Sequence, residues 1–455
     1  GLAAAGVFPV GARVNALGRL EVGGCDVVEL AREFGTPAYI YDEDDMRGRA
    51  REYLRAAAAA RPDGGAAGEP ADGGVEVLFA SKALNCTAAY RLFAEEGLSV
   101  DVASGGELHM ALAGGFEPER IHVHGNNKTD AEILRAAEVG VAHLILDSFD
   151  EIDRCERLLG ASDARGGAAA AGAAGAGAAA RTARQPVLIR VTPGVETVTH
   201  DSIRTGQVDS KFGFGIVGGD AAKAIERVLA SSTLELVGLH AHIGSQIFDL
   251  APYRKEIAAL AELAGPWCRT VNIGGGLGIA YTPAEEPPSI TEAVTAQLAA
   301  VNEHFPASTR IMLEPGRSLT ANAGITAYTV GTRKPIPGVR TYLAVDGGMS
   351  DNLRPMLYGA RYHVVIADRA GAEPTETVTV AGMHCESGDI IARDVELPAP
   401  AVGDTLVTAA TGAYGHSMAN NYNGITRPPV IFCRAGEART VVRRETYDDL
   451  LARDV

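Results

Sequence analysis

VEVLFASK (75–82), SVDVAS (99–104), IHVHGN (121–126), HLILDS (143–148), VLIRVTPG (187–194), LVGLHAHIGS (236–245), TVNIGGG (270–276) and RIMLEPGR (310–317) are eight short apolar runs, each closing on small or polar residues. Runs of this length, rich in Val, Ile and Leu, suit strands buried on both faces of a parallel sheet. Amphipathic stretches such as TAAYRLFAEEG and ELHMALAGG lie between several of them. The first three intervals are nearly equal at roughly 22 residues, about the span of one strand plus one helix. Eight such units in series predict a closed (β/α)8 TIM barrel, an α/β fold, rather than an open doubly wound sheet.

The texture changes on either side of these runs. After about Leu319 come TYLAVDGG, HVVIAD, ETVTVAG, DTLVTAAT, PVIFC and RTVVRRE, β-rich segments separated by Gly, Pro and Asp turns. They predict a C-terminal all-β domain over 319–455, with the barrel over 38–318 and residues 1–37 packing with the β domain. Two Ala/Gly-rich stretches, Ala56 to Gly74 and about Ala161 to Gln185, lack periodicity and bury too little to offset their ordering entropy. Both are expected to be mobile surface insertions. The five glycines between Gly166 and Gly177 weigh against an Ala-rich helix extension in the second.

Composition narrows the function. A 455-residue chain with 46% hydrophobic and 22% charged residues has room for a barrel and a second domain. Its formal net charge of -16 argues against a nucleic-acid or anionic-membrane surface, which calls for clustered Lys and Arg. Six scattered cysteines without a C-x-x-C motif read as reduced thiols in a cytoplasm. No stretch reads as a membrane span, and the opening GLAAAGVFPV, lacking a basic region, does not read as a signal peptide.

Barrel enzymes build their sites where strands end. Lys82, Asp101, His124, Asn126, His242, Ser245, Gly274 to Gly276, Glu314 and Arg317 all fall at such ends. A lysine closing an apolar strand can form a Schiff base with an aldehyde, although a lone strand-end lysine is commonly a solvated surface residue. Glycine clusters after the last two strands free backbone N–H groups that can cradle a phosphate, or else make tight turns. Glu314 would keep a facing pyridine nitrogen protonated and so make the ring an electron sink, and His242 could cover the ring face. His240-Ala241-His242 is also open to a metal-pair reading, but no matching carboxylate and histidine set stands at the other strand ends, so no metal is expected. Cys385, beside Glu386 in HCESGD, suits a proton donor better than a nucleophile, because the adjacent carboxylate discourages the thiolate. Arg354 and Tyr358, with Arg317 as a second cation, could bind a substrate carboxylate, and Tyr414 is a candidate phosphate or substrate contact.

The segments FASKA, DVASGGEL, HGNNK, DSKFG, GLHAHIGSQ, NIGGGLG, EPGRS, AVDGGMSDNLRPMLYGARY, HCESGDI and ATGAYGHSMANNYN carry a resemblance that runs nearly end to end. The chain resembles the diaminopimelate decarboxylases, within the fold-type III enzymes that use pyridoxal 5'-phosphate (PLP) and that include alanine racemase and the eukaryotic ornithine decarboxylases. The resemblance implies PLP on Lys82, with Asp101, His242, Ser245, Gly275, Gly276, Glu314, Gly316, Arg317 and Tyr414 around it. It implies Arg317, Arg354, Tyr358, Tyr414 and Glu386 at the substrate, and Cys385 as proton donor. It also implies a homodimer with shared active sites, Cys385 and Glu386 coming from the other subunit. The expected reaction is loss of carbon dioxide from meso-2,6-diaminopimelate to give L-lysine, the last step of lysine biosynthesis. A second amino-acid end needs cations for its carboxylate and an anion for its ammonium, and Arg317, Arg354 and Glu386 supply that set. The rival readings are a sister decarboxylase for ornithine, lysine, arginine or a carboxylated polyamine, a non-catalytic PLP-binding homologue, a racemase, and a metal-dependent barrel hydrolase.

Overall fold

A computed structural model of the chain describes residues 6–61, 73–169, 184–194 and 210–455. All eight apolar runs are strands: Val75–Ala80, Ser99–Val102, Ile121–Val123, His143–Leu146, Gln185–Thr192, Leu234–Ala241, Thr270–Asn272 and Arg310–Leu313. They pair in parallel in that order, and the eighth returns to the first through Ile311 opposite Val75 and Leu313 opposite Val77. The barrel is therefore closed, with no exposed sheet edge. Its helices pack apolar faces on the strands, and helix Ile290–His304 begins with a capping box in which Ser289 and Glu292 satisfy each other's backbone N–H groups.

The β domain contains all six segments expected from the sequence, as Arg340–Val345, Val364–Ile366, Glu376–Ala381, Thr405–Thr408, Val430–Arg434 and Glu437–Val442. Its longest strand, Gly324–Ile336, and the strand Ile390–Leu397 complete it. The hairpin Arg13–Val14, Leu20–Val22, Cys25–Asp26 and the helix Val27–Phe34 pack on this domain, as Leu20, Val22, Val27 and Leu30 share a core cluster with Ile325, Ala327 and Ile431.

Two sequence expectations need correction. Residues 38–42, expected at the start of the barrel, form a strand that pairs with Gly324–Ile336 on one side and Val430–Arg434 on the other. All five are buried, which suits an interior strand of the β domain. The first Ala/Gly-rich stretch does not begin as a loop at Ala56: helix Glu43–Ala60 runs on into it as far as Ala60, with Ala56 and Ala57 buried. Likewise helix Phe149–Ala169 carries its backbone through the first part of the second stretch. Alanine's helix propensity wins where the helix already has a nucleus. The remainder of both stretches lies outside the described residues. No helix among the described residues is long and apolar enough to cross a membrane.

Candidate active site

The C-terminal ends of the barrel strands surround a cavity of about 340 Å³, covered on one side by Arg354, Tyr358, Tyr414 and Met418 of the β domain. Lys82 reaches it from a single turn, Ser81–Ala83, that follows the first strand directly. Glu314 and Arg317 reach it from the EPGR turn after the eighth strand. His242 and Ser245 come from the loop after the sixth strand, and Gly275 and Gly276 from the loop after the seventh.

Glu314 is the best-supported charge in the cavity. Its carboxylate lies 2.7 Å from His124 Nε2, accepts from Asn272 Nδ2 at 2.7 Å, and lies 3.1 Å from His240 Nε2. Burial opposes its charge, but His124 and His240 hold its carboxyl well below the usual range. Asp101 shows the opposite balance. Burial pushes it up to about 6, against the pull of His124, with Glu314 adding repulsion. His240 falls to about 4 on burial, and His242 lies well below its ordinary value for the same reason, with Lys82 and Arg190 adding to the effect. The two carboxyls in one cavity thus titrate well apart, Asp101 protonating first on acidification, and His242 is a neutral ring. His124, His240 and Glu314 are also the group among the described residues whose ligand atoms, all within 4.8 Å, could hold a metal ion. His242, the second member of the sequence's metal pair, is not in that set; its Nδ1 accepts from the Gly275 amide at 3.3 Å.

Two arginines are buried in this cavity without a carboxylate partner among the described residues. Arg317 donates to the Tyr281 hydroxyl and to Ser245 Oγ at 2.7 Å, and its guanidinium lies 4.8 Å from the Tyr414 ring centre. Its Nε has no hydrogen-bond partner among the described residues. Arg354 donates to the Tyr362 hydroxyl and lies 4.7 Å from the Tyr281 ring centre. Aromatic faces and hydroxyls ease the desolvation of these cations, but their charge is left to be met by an anion.

PLP, the group that the sequence motifs imply, fits these residues. The donors Ser245, Arg317 and Tyr414 cluster beside Gly275 and Gly276, where backbone can approach an anion closely. A Cβ on Gly275 would lie 2.1 Å from the Glu314 carbonyl oxygen, and one on Gly276 would lie 2.3 Å from that of Gly244, so both loops pack backbone to backbone. Lys82 and Glu314 line the same cavity, and so offer an amine for the aldehyde and an anion for the ring nitrogen.

Of the candidates named from sequence, Lys82, Asp101, His242, Ser245, Gly275, Gly276, Glu314, Gly316, Arg317, Arg354, Tyr358 and Tyr414 line this cavity. Cys385 and Glu386 do not; both lie exposed on the surface of the β domain. Asn126 is also exposed and outside the cavity. Sequence reasoning missed Arg190, which lines the cavity 4.3 Å from the Phe212 ring centre. A lone charge inside the apolar run VLIRV was the available signal. Tyr281 and Tyr362, which hold the two arginines, had no such signal, because they come from loops remote in sequence.

Residues 69–321 match the family described as pyridoxal-dependent decarboxylase, pyridoxal binding domain. Over 97% of both chains, the protein is 44% identical to diaminopimelate decarboxylase of Bacillus subtilis (strain 168). It is 43% identical to that of Halalkalibacterium halodurans, again over 97% of both. The crystal structure of diaminopimelate decarboxylase from M. jannaschii in complex with L-lysine superposes with a TM-score of 0.86 at 33% identity, covering 98% of this chain and 97% of that one. With a cavity built for a cofactor that is both amine-bound and anionic, and likeness of this extent at both levels, the chain belongs to the diaminopimelate decarboxylase family of pyridoxal-dependent decarboxylases.

Proposed function

We propose that this protein decarboxylates meso-2,6-diaminopimelate to L-lysine and carbon dioxide in lysine biosynthesis, using PLP held by Lys82. The observation that carries the substrate assignment is the pair of buried arginines, Arg317 and Arg354, that lack a carboxylate partner among the described residues. Arg317 can turn to the cofactor phosphate, but a substrate whose far end is a bare amine would leave Arg354 unmet, at a cost of about 1–3 kcal/mol or more. A substrate with a second amino-acid end brings the missing carboxylate.

When bound, PLP withdraws the electron pair released as the carboxylate bond breaks. The chain supplies the rest. Glu314, kept ionised by His124 and His240, would supply the anion that a pyridine nitrogen needs. His242, neutral, can lie against the ring without repelling the positive charge it gains. Ser245, Gly275, Gly276, Gly316, Arg317 and Tyr414 would hold the phosphate, and Asp101 would stand near Lys82 and help place it. Tyr358 and Arg354, on the β-domain side, would hold the far end of the substrate.

The electron pair left at the α-carbon must be met by a proton. We assign the donor as Cys385 of the partner subunit, with Glu386 of the partner subunit binding the distal ammonium. Support comes from the exposed position of both residues and from their apolar surroundings: Met383 and Tyr422, beside the same turn, are exposed by 53% and 44%. A homodimer with shared active sites would cover this surface and complete each cavity. Six cysteines without a disulfide suit a reducing, cytoplasmic setting.

The test is carbon dioxide release by the PLP-loaded protein offered meso-diaminopimelate, L-ornithine, L-lysine and L-arginine in parallel. Release from diaminopimelate alone, with L-lysine as product, is expected. Release from one of the other three would keep the fold and cofactor but overturn the reading of the arginines.

A further inference from the structure

Three sequence motifs remain unexplained by the cavity: GGMSDN (347–352), HCESGD (384–389) and MANNYN (418–423). The fold gathers all three around one buried carboxylate, that of Asp389. Asp389 Oδ2 accepts from His384 Nδ1 at 2.7 Å and from the His384 amide at 3.0 Å, and Oδ1 accepts from the Met349 amide at 2.8 Å. Gly348 and Gly382 make room for it, since a Cβ on either would lie 2.5 or 2.0 Å from its oxygens. His384 in turn lies parallel to the Tyr422 ring, 6.0 Å between centres. The next residue, Asn423, accepts from the Cys385 amide at 2.9 Å. Asn420 closes the set by donating its amide to the Ser350 carbonyl at 2.9 Å. Cys385 is thus anchored on both sides, through His384 to Asp389 and through its own amide to Asn423.

We propose that Asp389 and His384 are positioning residues that fix the Cys385 turn as a preformed insert for the partner subunit's cavity. This rests on the assignment of Cys385 as proton donor. The Cys385 side chain is exposed on its own subunit, so no contact with its own cavity orients it. Its backbone must be held from beneath, and Asp389 is the buried group that does so. Supporting groups of this kind set the reach of a catalytic atom, and their loss costs about 10–100-fold in activity.

The experiment uses PLP-loaded full-length protein. Asp389→Asn and His384→Ala are expected to lower kcat about 10–100-fold while KM and the visible absorbance of bound cofactor stay as in the parent. His384→Asn keeps an amide donor where the ring Nδ1 stands and should recover most of that loss. His384→Asn as slow as His384→Ala would overturn positioning, as would an Asp389→Asn variant with parental kcat. Subunit mixing then locates the effect. Asp389→Asn mixed with Lys82→Ala should regain activity, and mixed with Cys385→Ala should not; the reverse pattern overturns the proposal. Mixing Lys82→Ala with Cys385→Ala separates the two ideas. No recovery there, despite demonstrated exchange, removes the shared site itself, and the His384→Asn comparison still decides whether the pair positions Cys385.

Discussion

The barrel holds a glutamate with two histidines at each of its ends. At the C-terminal end, Glu314 meets His124 and His240. At the other, Glu76 lies 3.2 Å from His122 Nε2 and accepts from Ser99 and Arg310, while His122 and His143 stack with ring centres 5.0 Å apart. His122 lies on the third strand and His124 just past its end, two residues on, so both face inward. Both carboxyls work against burial and are held below their usual range, Glu314 by two histidines and Glu76 by His122 and Arg310. Glu314 borders the cavity, and Glu76 does not line it. A histidine–carboxylate cluster is therefore not what marks a site. The mark is open space beside it, together with cations left unmatched. The lower cluster has its arginine in the ion pair and is a polar floor for the barrel.

Breaking the upper end should abolish chemistry and spare the fold. Lys82→Ala has the largest expected effect, with cofactor absorbance and carbon dioxide release both falling below detection. Glu314→Gln should lower kcat about 10²–10³-fold with little change in Tm. Glu76→Gln should do the opposite: breaking a buried pair costs about 3–5 kcal/mol, read by chemical denaturation, while the folded protein keeps its kcat. Equal losses of activity from both glutamines would erase the contrast. Arg354→Met should lower kcat/KM for diaminopimelate about 10²-fold and narrow its advantage over L-lysine.

Acid sharpens the comparison further. Burial lowers His240 and His416 to about 4, and takes His143 and His242 well below their ordinary value. At these rings the unfolded chain binds protons first as pH falls below about 6.5, which removes stability between there and pH 4, while Asp101, raised to about 6, and Asp351, raised to about 7, take up protons first in the folded state and offset part of that loss. Calorimetry of His416→Asn should therefore show Tm falling less on acidification across that window than in the parent; an equal fall in both would contradict the burial of this ring. The smallest expected effect is none. Dialysis against EDTA should leave carbon dioxide release unchanged, and loss of activity restored by a divalent ion would turn His124, His240 and Glu314 into a metal centre.

Much of this was legible in the sequence because buried strands and strand-end polar residues leave a local trace. The eight barrel strands and the cavity residues at their ends, such as Lys82, Asp101, His124 and Glu314, were readable in that way. The strand at residues 38–42 was not, since its partners lie almost 300 and 400 residues away, and its place before the first barrel helix suggested the barrel instead. The polar floor was also hidden. Glu76, His122 and Arg310 stand at odd places in apolar runs, and their pairing depends on which strands close the circle. That Cys385 and Glu386 serve the other subunit's site was implied by motif resemblance alone, because a site completed by another subunit would leave no geometric trace in one chain.

The strand Ala38–Asp42 lies between neighbours contributed by residues 324–336 and 430–434. During synthesis it leaves the ribosome roughly 390 residues before its last partner does. Ala38, Tyr39, Ile40 and Tyr41, fully buried in the finished protein, must wait uncovered while the whole barrel is made. A β-rich apolar segment kept waiting in this way is a target for chaperones and a seed for aggregation. Truncation of the last twenty-five residues is therefore expected to harm solubility out of proportion to its length, because it would strand the first strand of the domain rather than trim the last.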